Sequence, residues 1–325
     1  MSRMIPPVVQ KTLVAIVCAL SLGAPFAQSY PTKPIRLLSY SGAAVEALMR
    51  LIGHDMQANM GQPLVIENRS GANGIIAGEA CARAPADGYT LCMVDRSFVI
   101  LPLTVAKLPF DVNRDFAPVT NVVYTVLALA AHPSVGATNL KELVAVARAR
   151  PGELNMASLG STTLANMLRE WMQKEYGISM AHIPYKNPGA VMTAMLSGET
   201  QLTYFGLANF TQHHATGKIR LIATNGTQRS PLVPDVPTLV EQGVTSIDTR
   251  VWFGWFSPAG TPRDVRDRIY REVQKVVNVP AFKEKNFTSQ AMEAIANSPD
   301  EFTQFIKTDV VYSAALLKLS GAKPE

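Results

Sequence analysis

From Pro34 onward one pattern repeats: a short apolar run, a loop of small residues, then an amphipathic stretch. Ile35 to Leu38 is a predicted strand and Val45 to Asn59 a predicted helix. Leu64 to Glu67 and Gly74 to Ala84 repeat the pair, and Asp87-Gly88 turns into a third strand, Tyr89 to Val94. A second series follows the apolar segment Val122–Ala131. It comprises a helix at Leu140–Arg150, a strand at Leu154–Ala157, a helix at Leu164–Tyr176 and a strand at His182–Tyr185. Pro188–Ser197 is helical, and Gln201–Phe205 and Ile219–Ala223 are strands. Strand–helix alternation of this kind implies α/β architecture, mainly parallel sheets with helices on both faces.

The helix starts are marked by their chemistry. Asn139 is placed to cap the helix that follows, with Glu142 at its third position. Thr261-Pro262-Arg263-Asp264 and Ser298-Pro299-Asp300-Glu301 each offer a capping residue, then proline at the first helical position, then an acid. Two series of units imply two lobes, with Val122–Ala131 and Asp248–Ser257 as the segments that cross between them. Lobe one is then residues 30–125 with 253–325, and lobe two is 126–252.

The first residues change the picture of where the chain works. Arg3 and Lys11 precede the apolar run Thr12 to Leu22, and small residues follow at Gly23, Ala24 and Ala27. That is the layout of a secretory signal peptide, and the run falls short of the roughly 20 residues needed to span a bilayer. Cleavage after Ser29 leaves small residues at both positions that the peptidase reads, so the expected mature chain starts at Tyr30 and works, soluble, in the periplasm. An uncleaved anchor is the alternative, and a lipoprotein cysteine at Cys18 is disfavoured by the bulky Val17 before it.

Without residues 1–29 the chain keeps 28 basic and 25 acidic residues, a net charge of +3. So mild an excess, with no basic run, argues against a nucleic-acid partner. Cys81 and Cys92 fit no zinc spacing. They are either a disulfide across a helix–strand unit, as an oxidising compartment permits, or two buried thiols.

Catalytic chemistry is largely missing from the pattern. His54, His132, His182, His213 and His214 have no carboxylate or cysteine at ligand spacing, so they are read as surface polar residues and no metal is expected. Ser158 lies in Ala-Ser-Leu-Gly, without the first glycine of a nucleophile elbow. No phosphate-cradling or dinucleotide glycine motif occurs, so no cofactor is expected. What remains are two strand–loop–helix junctions: Ser39 to Ala44, and Ser158 to Thr163. Each puts backbone N–H groups and a helix N-terminus at the carboxyl edge of a sheet, where α/β folds bind ligands. Four charge-assisted hydrogen bonds from such loops would gross about 6–12 kcal/mol, against the roughly 8 kcal/mol net of micromolar binding.

Several segments together resemble a known family. Tyr-Pro-Thr-Lys-Pro-Ile-Arg (30–36), Gly-Gln-Pro-Leu-Val-Ile-Glu-Asn-Arg-Ser-Gly-Ala-Asn-Gly (61–74) and Ala-Asp-Gly-Tyr-Thr-Leu (86–91) come first. Leu-Pro-Phe-Asp (108–111), Arg-Asp-Phe-Ala-Pro-Val (114–119) and His-Ile-Pro-Tyr-Lys (182–186) follow, then Pro-Asp-Val-Pro-Thr (234–238) and Trp-Phe-Gly-Trp-Phe-Ser-Pro-Ala-Gly-Thr-Pro (252–262). The chain resembles the Bug-type solute receptors of tripartite tricarboxylate transporters. The resemblance implies a two-lobed periplasmic-binding-protein fold, type II-like, that closes on a small organic acid and hands it to an integral-membrane permease. It implies that the ligand is held by Tyr40, Ser41, Gly42, Ala43, Ala44 and Glu46 from one lobe, and by Ser158, Gly160, Ser161, Thr162 and Thr163 from the other.

The chain departs from the family at both loops. The family's Phe-Pro-Pro-Gly-Gly-x-x-Asp has become Tyr-Ser-Gly-Ala-Ala-Val-Glu, and its Gly-Asn-Gly-Ser-Thr is shortened at Gly160-Ser161-Thr162. Phe205 stands where many relatives carry aspartate. Glu46 either accepts from the ligand or complements the helix dipole. Arg96 is a carboxylate partner or a solvated loop residue, and Trp252 walls the cleft or packs near the hinge. Two further functions stay open: a ligand-sensing protein acting on a membrane sensor kinase, and a secreted hydrolase using Ser158.

Overall fold

The computed structural model describes residues 30–40, 43–69, 71–160 and 163–320. The segment expected to be a signal peptide lies outside them. Among the described residues, eleven strands form two sheets. The first contains β1 (Ile35–Ser39), β2 (Leu64–Asn68), β3 (Thr90–Asp95), β4 (Phe116–Thr125), β10 (Val251–Pro258) and β11 (Met292–Ala294), in the order β11-β4-β10-β3-β1-β2. The second contains β5 (Leu127–Ala131), β6 (Asn155–Ser158), β7 (Ala181–Pro184), β8 (Leu202–Gly206) and β9 (Arg220–Thr224), in the order β7-β6-β8-β5-β9. The described helices of eight or more residues are α1 (Ala43–Met60), α2 (Ile75–Ala82), α3 (Leu140–Ala149), α4 (Leu164–Tyr176), α5 (Pro188–Ser197), α6 (Arg263–Val277) and α7 (Pro299–Ser320). The molecule is thus a two-lobed α/β protein.

The strand–helix alternation supplies the parallel pairs, β1 with β2 and β3, and β6 with β7 and β8. The strands that carry the chain between lobes enter antiparallel: β10 beside β3 and β4, and β5 beside β8 and β9. Each sheet is therefore mixed, not mainly parallel. β4 and β5 are separated by one residue, Val126, so a nearly continuous extended segment passes from one sheet into the other.

Both faces of each sheet are covered, which is why the strands are apolar without strict alternation. In lobe one, Leu37, Leu91, Met93 and Trp255 pack with Met49 and Ile52 of α1 and Ile269 and Val273 of α6. On the other face Leu38, Cys92, Trp252 and Phe256 meet Cys81 of α2, Phe98, Phe110 and Phe302 of α7. In lobe two, Leu129, Met156 and Tyr204 face α3 and α4, while Ala128, Ala157 and Leu221 face α5. Each such apolar side chain contributes about 1.5–3 kcal/mol on leaving water. Cys81 and Cys92 are joined as a disulfide between α2 and β3, with Cα atoms 6.0 Å apart.

Two of the three expected caps form. The Asn139 side chain accepts from the Glu142 amide at 2.9 Å, although the Glu142 carboxylate reaches past it to Thr138. Ser298 and Glu301 exchange bonds as a complete capping box at the start of α7. Thr261 does not cap α6, because its hydroxyl turns back to the Pro258 carbonyl at 2.8 Å. The long helix α7 packs on β4 and also against α4 of the other lobe, a third connection beyond the two strand crossings.

Candidate functional site

The parallel strands of both sheets end at junctions with helices, and those ends define the site. In lobe one, β1 delivers Ser39 and Tyr40, and β3 delivers Asp95. The Tyr40 hydroxyl donates to Asp95 Oδ1 at 2.9 Å and accepts from the Asp95 amide at 3.2 Å. Burial, then the Asp95 charge, pushes this hydroxyl well above the ordinary tyrosine range, so it stays a donor. The ring lies so close to Gly74 (φ +88°) that a Cβ there would come within 2.6 Å of it, so only glycine fits. Ser41 and Gly42 lie outside the described residues. Ala43 and Ala44 are the first two residues of α1, with Ala44 exposed. Glu46 accepts from Ser39 Oγ at 2.9 Å and from Asn68, and lies 4.0 Å from Arg50. It ties the ends of β1 and β2 to the first turn of α1, where a negative charge suits the helix dipole.

In lobe two, Ser158 ends β6 and is buried. Its Oγ lies 2.6 Å from His182 Nε2 and accepts from the Gly160 amide at 3.0 Å. Gly160 has φ +141°, and the Thr163 hydroxyl donates to its carbonyl at 2.8 Å, closing a turn into α4. Ser161 and Thr162 lie outside the described residues. Burial, then the Arg169 charge, hold His182 below the usual histidine range, with Glu170 opposing. The expectation that all five histidines are mere surface residues therefore fails at His182, which fixes the turn. Its one sequence signal is its place on a strand next to β6.

A cavity of about 430 Å³ opens at the carboxyl ends of β6 and β8, lined by Ser158, Leu159, Thr163, Leu164, Val191 and Phe205 among others. Phe205, half-buried near the end of β8, lies on its wall. Leu164 also lines an adjoining cavity of about 210 Å³, whose other walls are Asp95, Arg96, Ser97 and Ile100 of lobe one, Val251 of the return strand, and α7. The two cavities share Leu164 in the first turn of α4; the first is lined by lobe two alone, and the second by both lobes. Leu164 and Val191 were invisible as site residues in the sequence, since apolar positions read as core. A third cavity, of about 440 Å³, lies between the 225–250 segment and α7. There Asp248 and Arg250 are ion-paired with each other.

Two expected site residues prove structural. Arg96 borders the adjoining cavity but is buried; its Nε and Nη1 are hydrogen-bonded, while Nη2 lies beside Asp309 without making a hydrogen bond. The three nitrogens lie, in that order, 2.7 Å from Ser313 Oγ, 3.2 Å from the Arg250 carbonyl and 3.0 Å from Asp309. Arg96 is not solvated, and its charge already faces the Asp309 carboxylate. Trp252 is completely buried, packed edge-on against Phe302, with its indole N–H on Asp309 Oδ2 at 3.0 Å. It belongs to the core near the hinge and not to the cleft wall. For Trp252 the structure shows the second of its two expected readings; the shared partner was not readable because it is remote in sequence, Asp309 lying 57 positions from Trp252 and further still from Arg96.

The comparisons decide the family. Residues 48–321 match the family of the tripartite tricarboxylate transporter receptor. The chain belongs to that family. It is a solute-binding receptor and not an enzyme. A UPF0065 protein of Bordetella bronchiseptica is 31% identical over 96% of this chain and 93% of its own length. Protein BugT of Bordetella pertussis is 30% identical, over 91% of this chain and 92% of its own. Among solved structures, R. palustris Rpa4515 with adipate is 25% identical at a TM-score of 0.71, covering 91% of this chain and all of that one. Periplasmic binding protein BugD is also 25% identical, at a TM-score of 0.67 over the same shares. A TctC solute-binding protein from Polaromonas, at 20% identity and a TM-score of 0.79, covers 89% of this chain and 99% of that one and supports the fold. No described helix of this receptor is long and apolar enough to cross a membrane.

Proposed function

We propose that this receptor works in the periplasm, captures a small carboxylate between its lobes and delivers it to the permease subunits of a tripartite transporter. In this reading residues 1–29 are removed on export. Lobe one, expected as 30–125 with 253–325, also takes in Val251 and Trp252 of β10, lobe two is the rest of 126–252, and the ligand favours the closed arrangement by its greater affinity for it. The observation that carries the reading is the pair of adjoining cavities at Leu164, set at the carboxyl edges where α/β folds take their ligands. The N-terminus of α4, set by the Gly160 turn and Thr163, then offers backbone donors to the carboxylate, assisted by Ser161 and Thr162. Tyr40, Ser41, Gly42, Ala43 and Ala44 close on it from the other side. Adipate in Rpa4515, a relative of equal architecture, supports the carboxylate class.

The test is thermal unfolding of the purified receptor with mono-, di- and tricarboxylates. A true ligand at 100 times its dissociation constant should add about 2.7 kcal/mol of stability. Gly160→Val meets open space around its Cβ but an unfavourable backbone angle. The strain, of order 1–3 kcal/mol, should leave the protein folded while displacing the turn, with affinity falling about tenfold or more. Unchanged affinity in the variant removes the turn from the site.

A further inference from the structure

The cavity in lobe two says more about its occupant than that it is an acid. Its walls at Leu127, Leu159, Leu164, Val191 and Phe205 are apolar, and none of its described lining residues is charged. Leu159, one of the lining residues, keeps 37% of its surface exposed. The lining hydroxyls are already committed within the lobe. Ser158 is bonded to His182 and Gly160, Thr163 to the Gly160 carbonyl, Thr203 to the Ala157 carbonyl and Tyr204 to Thr249.

The neighbouring cations are ion-paired within the protein, although the buried Arg96 Nη2 makes no hydrogen bond. Arg96 in the adjoining cavity is held by Asp309, Ser313 and a carbonyl. Arg169, whose charge reaches His182, is bonded to Asn166, the Met180 carbonyl and Glu170. The described acid of the adjoining cavity is Asp95, which would repel an anion.

We infer that the ligand carries a single carboxylate on an uncharged apolar body, a ring or a branched chain, and that the body occupies the lobe-two cavity. This rests on the receptor reading, in which the turn at Gly160 takes the one carboxylate. A second carboxylate pushed against the described lining side chains would lose its water and gain neither a cation nor an uncommitted hydroxyl, a heavy cost for a buried charge. An apolar body gains from the same burial. The volume, about 430 Å³, is ample for such a ligand.

Matched pairs test it: benzoate against terephthalate, and hexanoate against adipate, titrated calorimetrically into the purified receptor. Each monocarboxylate should bind at least tenfold more tightly than its dicarboxylate partner. Phe205→Asp should weaken benzoate at least tenfold. Leu159→Asp, at a more exposed position where folding is not at risk, should do the same. Dicarboxylates that bind as tightly or more tightly overturn the inference and leave the receptor reading standing. Benzoate affinity unmoved by Leu159→Asp overturns it too. If no carboxylate binds at all, both fall together.

Discussion

A hydroxyl and an imidazole 2.6 Å apart hold the turn that begins α4, and their contact has a pH dependence with a definite sign. His182 is held below the ordinary histidine range by burial first and the Arg169 charge second, so the folded state prefers the neutral ring. A depressed folded pKa contributes stability that is complete above the unfolded value near 6.5, and is lost as pH falls through the folded value. The wild-type melting temperature should therefore fall between pH 7 and pH 5 by more than that of His182→Gln. Equal slopes in the two proteins would remove this residue from the pH response. At this scale the sequence was legible where partners are local. The Asn139 cap and the Ser298–Glu301 box join residues three apart, and both form. Arg96 was not legible, because Ser313 and Asp309 reach it only through the tertiary fold.

Elements were the most readable level. Helices α4 and α5 begin and end where periodicity and the flanking small residues put them, and most strands shift by a residue or so, because apolar runs and turn glycines are local signals. The antiparallel entry of β5 and β10 was not readable, since a strand's sequence does not state its partner's direction. The pair Cys81 and Cys92, open in the sequence, is settled by α2 lying across β3. Closing a loop of 11 residues' separation stabilises the fold by about 3 kcal/mol in the chain-entropy account. Replacing both cysteines by alanine should cost about that much in urea unfolding. A loss below about 1 kcal/mol would mean that packing around α2 carries the unit alone.

Across the whole molecule, the lobes are joined by two strand crossings and by α7, and a buried charge cluster sits where these meet. Asp309 of α7 holds Arg96 of lobe one and Trp252 of the return strand, while the Arg250 guanidinium lies 4.9 Å from the Tyr124 ring centre. Burial pushes Asp309 upward, with Arg96 and Trp252 pulling it back, so the pair balances a desolvation cost against its own attraction. Asp309→Asn should destabilise the protein by about 3–5 kcal/mol through an uncompensated Arg96. Adding Arg96→Met should return a large part of that, and chemical unfolding midpoints would show it. No recovery in the double variant would place the loss elsewhere than in the pair. Two lobes and their meeting at strand ends could be anticipated from the repeated units. The apolar lining of the cleft could not, because nothing in one sequence separates a leucine facing a ligand from one facing the core.

The chain has three tryptophans, and the fold distributes them without redundancy. Trp171 is sealed among the helices of lobe two, Trp255 lies beneath α1 of lobe one, and Trp252 stands beside Asp309 at the junction. One indole therefore sits in each lobe's core and a third beside the buried charge cluster, so ultraviolet emission of the native polypeptide samples all three places with no dye attached.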